Sequence, residues 1–64
     1  MEEVLLDIKD VSRILKLSQP NIRQKVYRGE LPVVKLGRRV LFLQRDITAL
    51  IEESYRPAKE KAAN

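Results

Sequence analysis

Two residue types that carry much protein chemistry are missing from this 64-residue chain, which has no cysteine and no histidine. Without cysteine, no disulfide or thiolate metal site can reinforce so small a core, and nothing indicates an oxidising compartment. The aspartates near the amino terminus and the serines are explained as helix caps or small packing residues, and no serine has a base beside it. We therefore expect no enzymatic activity, no catalytic residue, no metal and no cofactor.

Glycine and long apolar runs are also scarce. The chain has two glycines, and no phosphate-binding glycine loop is present. Its longest apolar run is residues 40–43, far short of a membrane span. The amino-terminal segment is acidic, whereas a secretory signal begins with basic residues. We expect a soluble protein in the cytoplasm, with no membrane partner.

Acidic residues are almost absent from the middle of the chain. The net charge is +4, and residues 18–45 contain one acid, Glu30, while the acids of the flanking segments are nearly balanced by their own bases. The middle segment therefore holds the positive excess, which favours a polyanionic partner. Its bases are Arg23, Lys25, Arg28, Lys35, Arg38, Arg39 and Arg45.

A first short helix is predicted to begin at Ile8. Asp7 and Asp10 resemble a capping box made of aspartates, which would define this start. The following apolar residues have the i, i+3, i+4 spacing of a helix with one buried face. That stripe consists of Val11, Ile14 and Leu15.

A second helix is predicted from Ser18 to Gly29. Ser18 is a good N-cap, Pro20 falls in the first turn, and Gly29 can adopt the left-handed conformation that closes a helix. Ile22 and Val26 are four residues apart and form its apolar stripe. Only two residues connect it to the first helix, so the pair is predicted to be a helix-turn-helix.

The rest of the second helix is polar or basic and has no carboxylate. Amide, guanidinium and phenol groups are suited to base edges and phosphates, so this surface is predicted to contact DNA. The alternative is that both helices only form the core of a small bundle. The predicted DNA-binding residues of this helix are Ser18, Gln19, Pro20, Asn21, Arg23, Gln24, Lys25, Tyr27 and Arg28.

Two strands, residues 33–36 and 40–43, are predicted to form a wing around residues 37–39. A two-residue loop would place Leu36 opposite Arg39 and break the apolar pairing, so a three-residue loop is preferred. That register pairs Leu36 with Val40. It leaves Leu41, together with Val33, on an outer face for contact with another protomer. The predicted wing contacts to phosphates or the minor groove are Lys35, Arg38 and Arg39, although a merely solubilising turn is the alternative.

A third helix follows the wing, and the predicted fold class is α+β, a winged helix-turn-helix with three short helices and a two-stranded hairpin between helices 2 and 3. The third helix should end near Tyr55, because Pro57 cannot continue it. Residues 1–56 are assigned to the domain and residues 57–64 to a mobile polar tail. Ile47, Leu50 and Ile51 share the apolar face of this helix, and the core is expected where Ile22, Val26, Phe42 and Leu50 meet.

From residue 6 to residue 51, this order of features resembles the small winged-helix proteins of the excisionase-type or MerR-like DNA-binding family. The similarity rests on the acid-capped first helix, the serine-started second helix and the segment RGELPVVKLGRRV at residues 28–40. It implies that the second helix reads the major groove and that Arg38 and Arg39 are wing contacts. The chain departs from the family pattern at Lys16, where glycine is common, at Lys25, which is often apolar, and at Leu43, often proline.

The resemblance leaves three classes of function open. The first is an excisionase, which binds and bends double-stranded DNA near an attachment site and biases an integrase towards excision. The second is a small stand-alone transcription regulator, and the third is a protein-interaction domain for an acidic partner. The short chain favours the excisionase. We expect a monomer in solution that binds DNA cooperatively, head to tail, through Val33 and Leu41.

Overall fold

The computed structural model describes residues 3–58 and confirms an α+β winged helix-turn-helix. The proposed tail lies outside the described residues from residue 59 onward. A three-stranded antiparallel sheet in the order β1-β3-β2 holds the wing, where the sequence predicted two strands. The elements are β1 (Leu5–Leu6), α1 (Ile8–Leu15), α2 (Gln19–Tyr27), β2 (Val34–Leu36), β3 (Arg39–Leu43) and α3 (Gln44–Ser54).

The predicted capping box begins α1. The backbone N–H of Asp10 donates to Asp7 Oδ1 at 2.8 Å, and the N–H of Asp7 donates to Asp10 Oδ2 at 3.2 Å. The hydrogen bond from the Asp10 N–H lowers the pKa of the Asp7 carboxyl below its usual value, because it stabilises the ionised form. At the other end, Lys16 has the left-handed conformation, with φ 59°. The helix therefore has a favourable start and a strained end.

The turn between α1 and α2 is held by one side chain. Ser12 Oγ donates a hydrogen bond to the carbonyl oxygen of Leu17, which ties α1 to the residue before the N-cap of α2. Val11 is fully buried beside this turn and Leu15 is half-buried, as predicted, but Ile14 is exposed. The stripe prediction was wrong for Ile14, because this residue faces an open groove between the ends of α1 and α3.

β3 is the central strand of the sheet. Leu5 pairs with Leu43 and Leu6 with Phe42 on one side, which makes β1 part of the sheet. The sequence pattern did not predict β1, because a two-residue strand is too short to show an alternating pattern. On the other side β2 pairs with β3 to form the wing.

The three-residue loop predicted for the wing was wrong, and the hairpin has the register of a two-residue loop. Leu36 pairs with Arg39 and Val34 with Leu41, so the loop contains only Gly37 and Arg38. Gly37 has φ 63°, and a glycine with positive φ in the first position of a two-residue loop matches the twist of the strands. Leu36 and Val40 are both exposed at the tip, so pairing them would have buried little apolar area.

The core lies where α1, α2, β3 and α3 meet. Ile22 and Phe42 are buried as predicted, and Val26 and Leu50 pack against them from partly buried positions. Leu31 is also buried, which its place after α2 did not suggest. Ile51 was predicted to share the apolar face of α3 with Ile47 and Leu50, but it lies near the end of the helix and is exposed. The buried cluster consists of Leu6, Val11, Ile22, Leu31, Phe42 and Ile47.

The start of α3 is defined by the backbone of the amino-terminal segment. Leu43 occupies the N-cap position without a side-chain hydrogen bond, and the N–H of Gln44 donates to the carbonyl oxygen of Val4 at 2.9 Å. The helix ends at Ser54 with Tyr55 as C-cap, as predicted from Pro57. Thus β1 and α3 stabilise each other although they are far apart in sequence.

Candidate nucleic-acid interface

α2 has a defined cap at each end. Ser18 Oγ accepts a hydrogen bond from the Asn21 N–H at 3.3 Å, and Pro20 lies in the first turn. At the other end Gly29 has φ 76°. Its N–H donates to the Val26 carbonyl at 3.0 Å, and the next N–H, of Glu30, donates to the Lys25 carbonyl at 2.9 Å. This is a Schellman motif, which ends the helix sharply before the wing.

The surface of α2 opposite Ile22 is open to solvent. Tyr27 is 92% exposed, whereas Ile22 is fully buried, so the helix has one face in the core and one outside. Gln19 and Lys25 are half-buried at the edges of the outer face. The other predicted contact residues, Ser18, Pro20, Asn21, Arg23, Gln24, Tyr27 and Arg28, are all exposed.

The wing brings a second base beside α2. Arg23 and Arg38 both line a hollow of about 350 Å³ between the helix and the hairpin, with Val26 and Val40 among its other walls. Arg38 therefore lies next to α2, although Arg23 and Arg38 are distant in sequence. This hollow is on the Arg23 side of α2.

The other two wing bases lie on opposite faces of the hairpin. Lys35 pairs with Val40, so it is on the face turned towards α2, while Arg39 pairs with Leu36 on the opposite face. The predicted three-residue loop would have placed Arg39 in the loop beside Arg38. The observed register moves Arg39 into β3, away from α2.

Ion pairs divide the bases of residues 18–45 into two groups. The carboxylate of Glu30 lies 3.9 Å from Lys25 Nζ and 3.7 Å from Arg28 Nη1, and Arg45 Nη1 lies 3.0 Å from Glu3 Oε2. Within residues 3–58, the bases of the segment without such an acidic neighbour are Arg23, Lys35, Arg38 and Arg39. Sequence reasoning missed this division, although the Schellman motif that places Glu30 beside α2 could have suggested it.

A family profile described as a helix-turn-helix domain matches residues 5–55, from β1 to the C-cap of α3. The chain belongs to this helix-turn-helix family. This confirms the resemblance to a small DNA-binding family. The helix-turn-helix domain supports DNA as the partner of this chain. Searches of curated proteins and of solved structures found no significant match to this helix-turn-helix chain.

Other classes of site find little support in the part of the chain that the structure describes. Across residues 3–58 no three acidic side chains come together as a site for a cation. None of the three helices in the same range is long and apolar enough to cross a membrane. The family match and the exposed polar and basic side chains make α2 and the adjoining wing the candidate functional site of this helix-turn-helix protein.

Proposed function

We propose that this helix-turn-helix protein is an excisionase, which binds and bends duplex DNA near an attachment site and promotes integrase-mediated excision of a mobile element. The observation that carries the proposal is the carboxylate-free outer face of α2 with Arg38 of the wing beside it. The excisionase role itself is supported by the resemblance of residues 6–51 to excisionase-type proteins. The runner-up is a compact transcription regulator with the same DNA-binding surface.

In this proposal α2 enters the major groove and the wing follows the adjacent backbone. Arg23 and Gln24 have the guanidinium and amide groups that pair with base edges. Lys35 and Arg38, on the α2 side of the wing, contact phosphates or the minor groove. Lys25 and Arg28 contribute positive charge that Glu30 partly neutralises.

A salt titration of duplex binding tests the DNA-binding mode. If about four to six phosphate contacts form, the slope of log K against log salt concentration is expected to be about −4 to −5. A slope near zero would contradict the proposed interface and favour a protein-interaction domain for an acidic partner. Glu52→Gln on the exposed surface of α3 is a suitable control, because Glu52 lines a hollow with Glu3 and Val4, so the substitution changes the charge on the far side of α3 from α2.

An excision assay separates the two DNA-binding roles. DNA carrying the attachment region beside the gene is incubated with the cognate integrase, with and without this protein, while bending is followed by resonance energy transfer between the duplex ends. An excisionase increases excision and brings the ends closer. A regulator binds without changing the direction of recombination. The Arg23→Ala, Gln24→Ala double variant should lose the effect.

Cooperative binding by several copies is also part of the proposal, with the free protein a monomer. The residues first assigned to the contact between copies are unsuitable, because Leu41 is only 9% exposed and Val33 packs against the core. Leu41→Glu would damage the fold and would not report on assembly. The contact must involve other exposed residues.

A further inference from the structure

Glu30 is the single acid of residues 18–45, and it lies just beyond the carboxyl end of α2. The backbone of the Schellman motif fixes its position, because the Glu30 N–H donates to the Lys25 carbonyl at 2.9 Å. In such motifs the residues at these two positions frequently make an apolar contact. Here they have opposite charges instead. The end of α2 therefore brings a carboxylate next to a cation of the proposed DNA-binding helix.

The Glu30 carboxylate contacts two cations of α2 at once. Its Oε1 atom lies 3.9 Å from Lys25 Nζ, and its Oε2 atom lies 3.7 Å from Arg28 Nη1. Lys25 and Arg28 are three residues apart, so they lie on the same side of the helix. Both distances are longer than a hydrogen bond. The carboxylate therefore offsets the two positive charges without fixing either side chain in one geometry.

The two sides of α2 differ in charge. Arg23 shares a hollow with a second arginine, from the wing. Lys25 lies about 200° from Arg23 around the helix axis, because the two residues are two positions apart. Beside Lys25, Glu30 lines a hollow of about 270 Å³ together with Asp46 and Glu53 of α3. The Arg23 side of α2 is therefore basic, whereas the Lys25 side has an acidic border.

Cations that are free to meet phosphates strengthen binding to any duplex. Each phosphate contact releases counterions, and this sequence-independent effect supplies essentially all non-specific binding. On a selected site, contacts of Arg23 and Gln24 with base edges fix the position of α2. On other sequences nothing fixes that position, so the helix can shift towards the phosphates nearest its free charges. Extra free cations on α2 therefore favour non-specific binding more than specific binding.

We propose that Glu30 is a selectivity residue, whose carboxylate holds the charges of Lys25 and Arg28 back from DNA phosphates and so weakens non-specific binding more than binding to the selected site. The inference rests on the proposed DNA binding through α2 and identifies a residue that limits it. A genome offers about 10⁶–10⁹ competing non-specific sites, so the ratio of specific to non-specific affinity decides where such a protein binds.

Glu30→Gln tests this role, because glutamine keeps the size of the side chain, removes its charge and leaves the backbone hydrogen bonds of the motif in place. Affinity is measured over a series of salt concentrations on a duplex with the selected site and on a random-sequence duplex. Each phosphate contact contributes about 0.9 to the slope of log K against log salt. Releasing both cations should therefore steepen the slope on the random duplex by about 1 to 2. The ratio of specific to non-specific affinity should fall several-fold at low salt.

Glu52→Gln is the matched control, because it removes the same charge from an exposed position of α3 in a hollow with Glu3. This variant should keep the wild-type slope and the wild-type affinity ratio. An equal gain in non-specific binding by both variants would show that total charge, and not the ion pairs at the end of α2, limits binding. That result would overturn the role of Glu30.

Removing the two cations completes the test as a mutant cycle. Lys25→Gln combined with Arg28→Gln should lower the affinity for the random duplex more in the Glu30→Gln protein than in the wild type. A loss of equal size in both backgrounds would show that Glu30 does not act through these cations and would overturn the proposal. Circular dichroism and thermal unfolding check that every variant is folded.

Failure of the proposed function gives a different pattern. If α2 does not bind DNA, the wild type shows no salt-dependent binding to either duplex, and both the proposed function and the role of Glu30 are wrong. If the wild type binds the selected site with the expected slope and Glu30→Gln leaves the random duplex unaffected, DNA binding stands and the role of Glu30 is wrong.

Discussion

The helix-turn-helix and the wing both present basic side chains to one interface, but their geometry has different origins. In α1 and α2, the caps at Asp7, Ser18 and Gly29 make hydrogen bonds to backbone groups within a few residues. In the wing, the pairing of β2 with β3 determines which side chains lie on the face towards α2 and which lie on the opposite face. The central strand β3 also pairs with β1, which is distant in sequence. Local chemistry defines the helices, whereas packing defines the wing.

This difference has a functional consequence. Each side chain of α2 keeps its direction as long as the helix exists, because the helix period places it. A shift of one residue in the wing register exchanges the faces of Lys35 and Arg39. The observed register puts Lys35 on the α2 side and Arg39 on the outer side, so Lys35 and the loop residue Arg38 lie towards α2 and Arg39 does not.

The largest expected effect is from breaking the packing that holds the wing. Phe42→Ala should lower the free energy of unfolding by about 3–5 kcal/mol, because Phe42 is fully buried between β1, α1 and α2. This is comparable to the whole stability of a domain of this size. Urea denaturation followed by circular dichroism measures the change, with Val40→Ala, exposed on the same strand face, as control. A folded, cooperatively unfolding Phe42→Ala protein would show that the wing does not depend on this packing.

The next largest effect separates the helix from the wing as DNA contacts. Arg23→Ala or Gln24→Ala should cost about 1–3 kcal/mol on the best site and relax the sequence preference, because these groups read base edges. Lys35→Ala combined with Arg38→Ala should weaken good and poor sites alike, because both bases lie on the α2 side of the wing and phosphate contacts carry no sequence information. Competition binding on duplexes with a single site avoids contributions from a neighbouring copy. The assignment is reversed if the wing variant changes the base preference and the helix variants do not.

A smaller effect tests the local chemistry of the turn. Lys16 has φ 59°, a conformation that costs a side-chain-bearing residue roughly 1–2 kcal/mol and glycine almost nothing. Lys16→Gly should therefore stabilise the fold by about 1 kcal/mol. Lys9→Gly, on the exposed surface of α1, is the matched control and should destabilise it by about 1 kcal/mol. Thermal unfolding of both variants gives the comparison, and destabilisation by Lys16→Gly would exclude strain at the turn.

The smallest effect concerns the cap of α1. Because the pKa of Asp7 is lowered in the folded chain, its ionised form stabilises the fold above the usual value of 3.8, and this contribution is lost as the pH falls through the lower folded pKa. Asp7→Asn keeps the cap but cannot titrate, so its stability should depend less on pH below about 4. Equal acid dependence in wild type and variant would show that this cap is not coupled to folding.

The sequence alone was sufficient for the features that depend on neighbouring residues. The capping box at Asp7, the N-cap Ser18, the left-handed Gly29 and the helix end before Pro57 were all predicted from residue types and spacing. The outer face of α2 followed from the positions of Ile22 and Val26. These predictions succeed because hydrogen bonds within one helical turn involve residues that are close in sequence.

Only the tertiary structure decided the features that depend on distant residues. β1 forms because Leu5 and Leu6 find the edge of β3, and the wing register follows from Gly37 and from the poor burial available at the tip. The separation of Arg39 from Arg38 results from this register, and Ile14 and Ile51 are exposed because they line an open groove between the ends of α1 and α3. A sequence period indicates which residues share a face, but whether that face is covered depends on which elements pack against it.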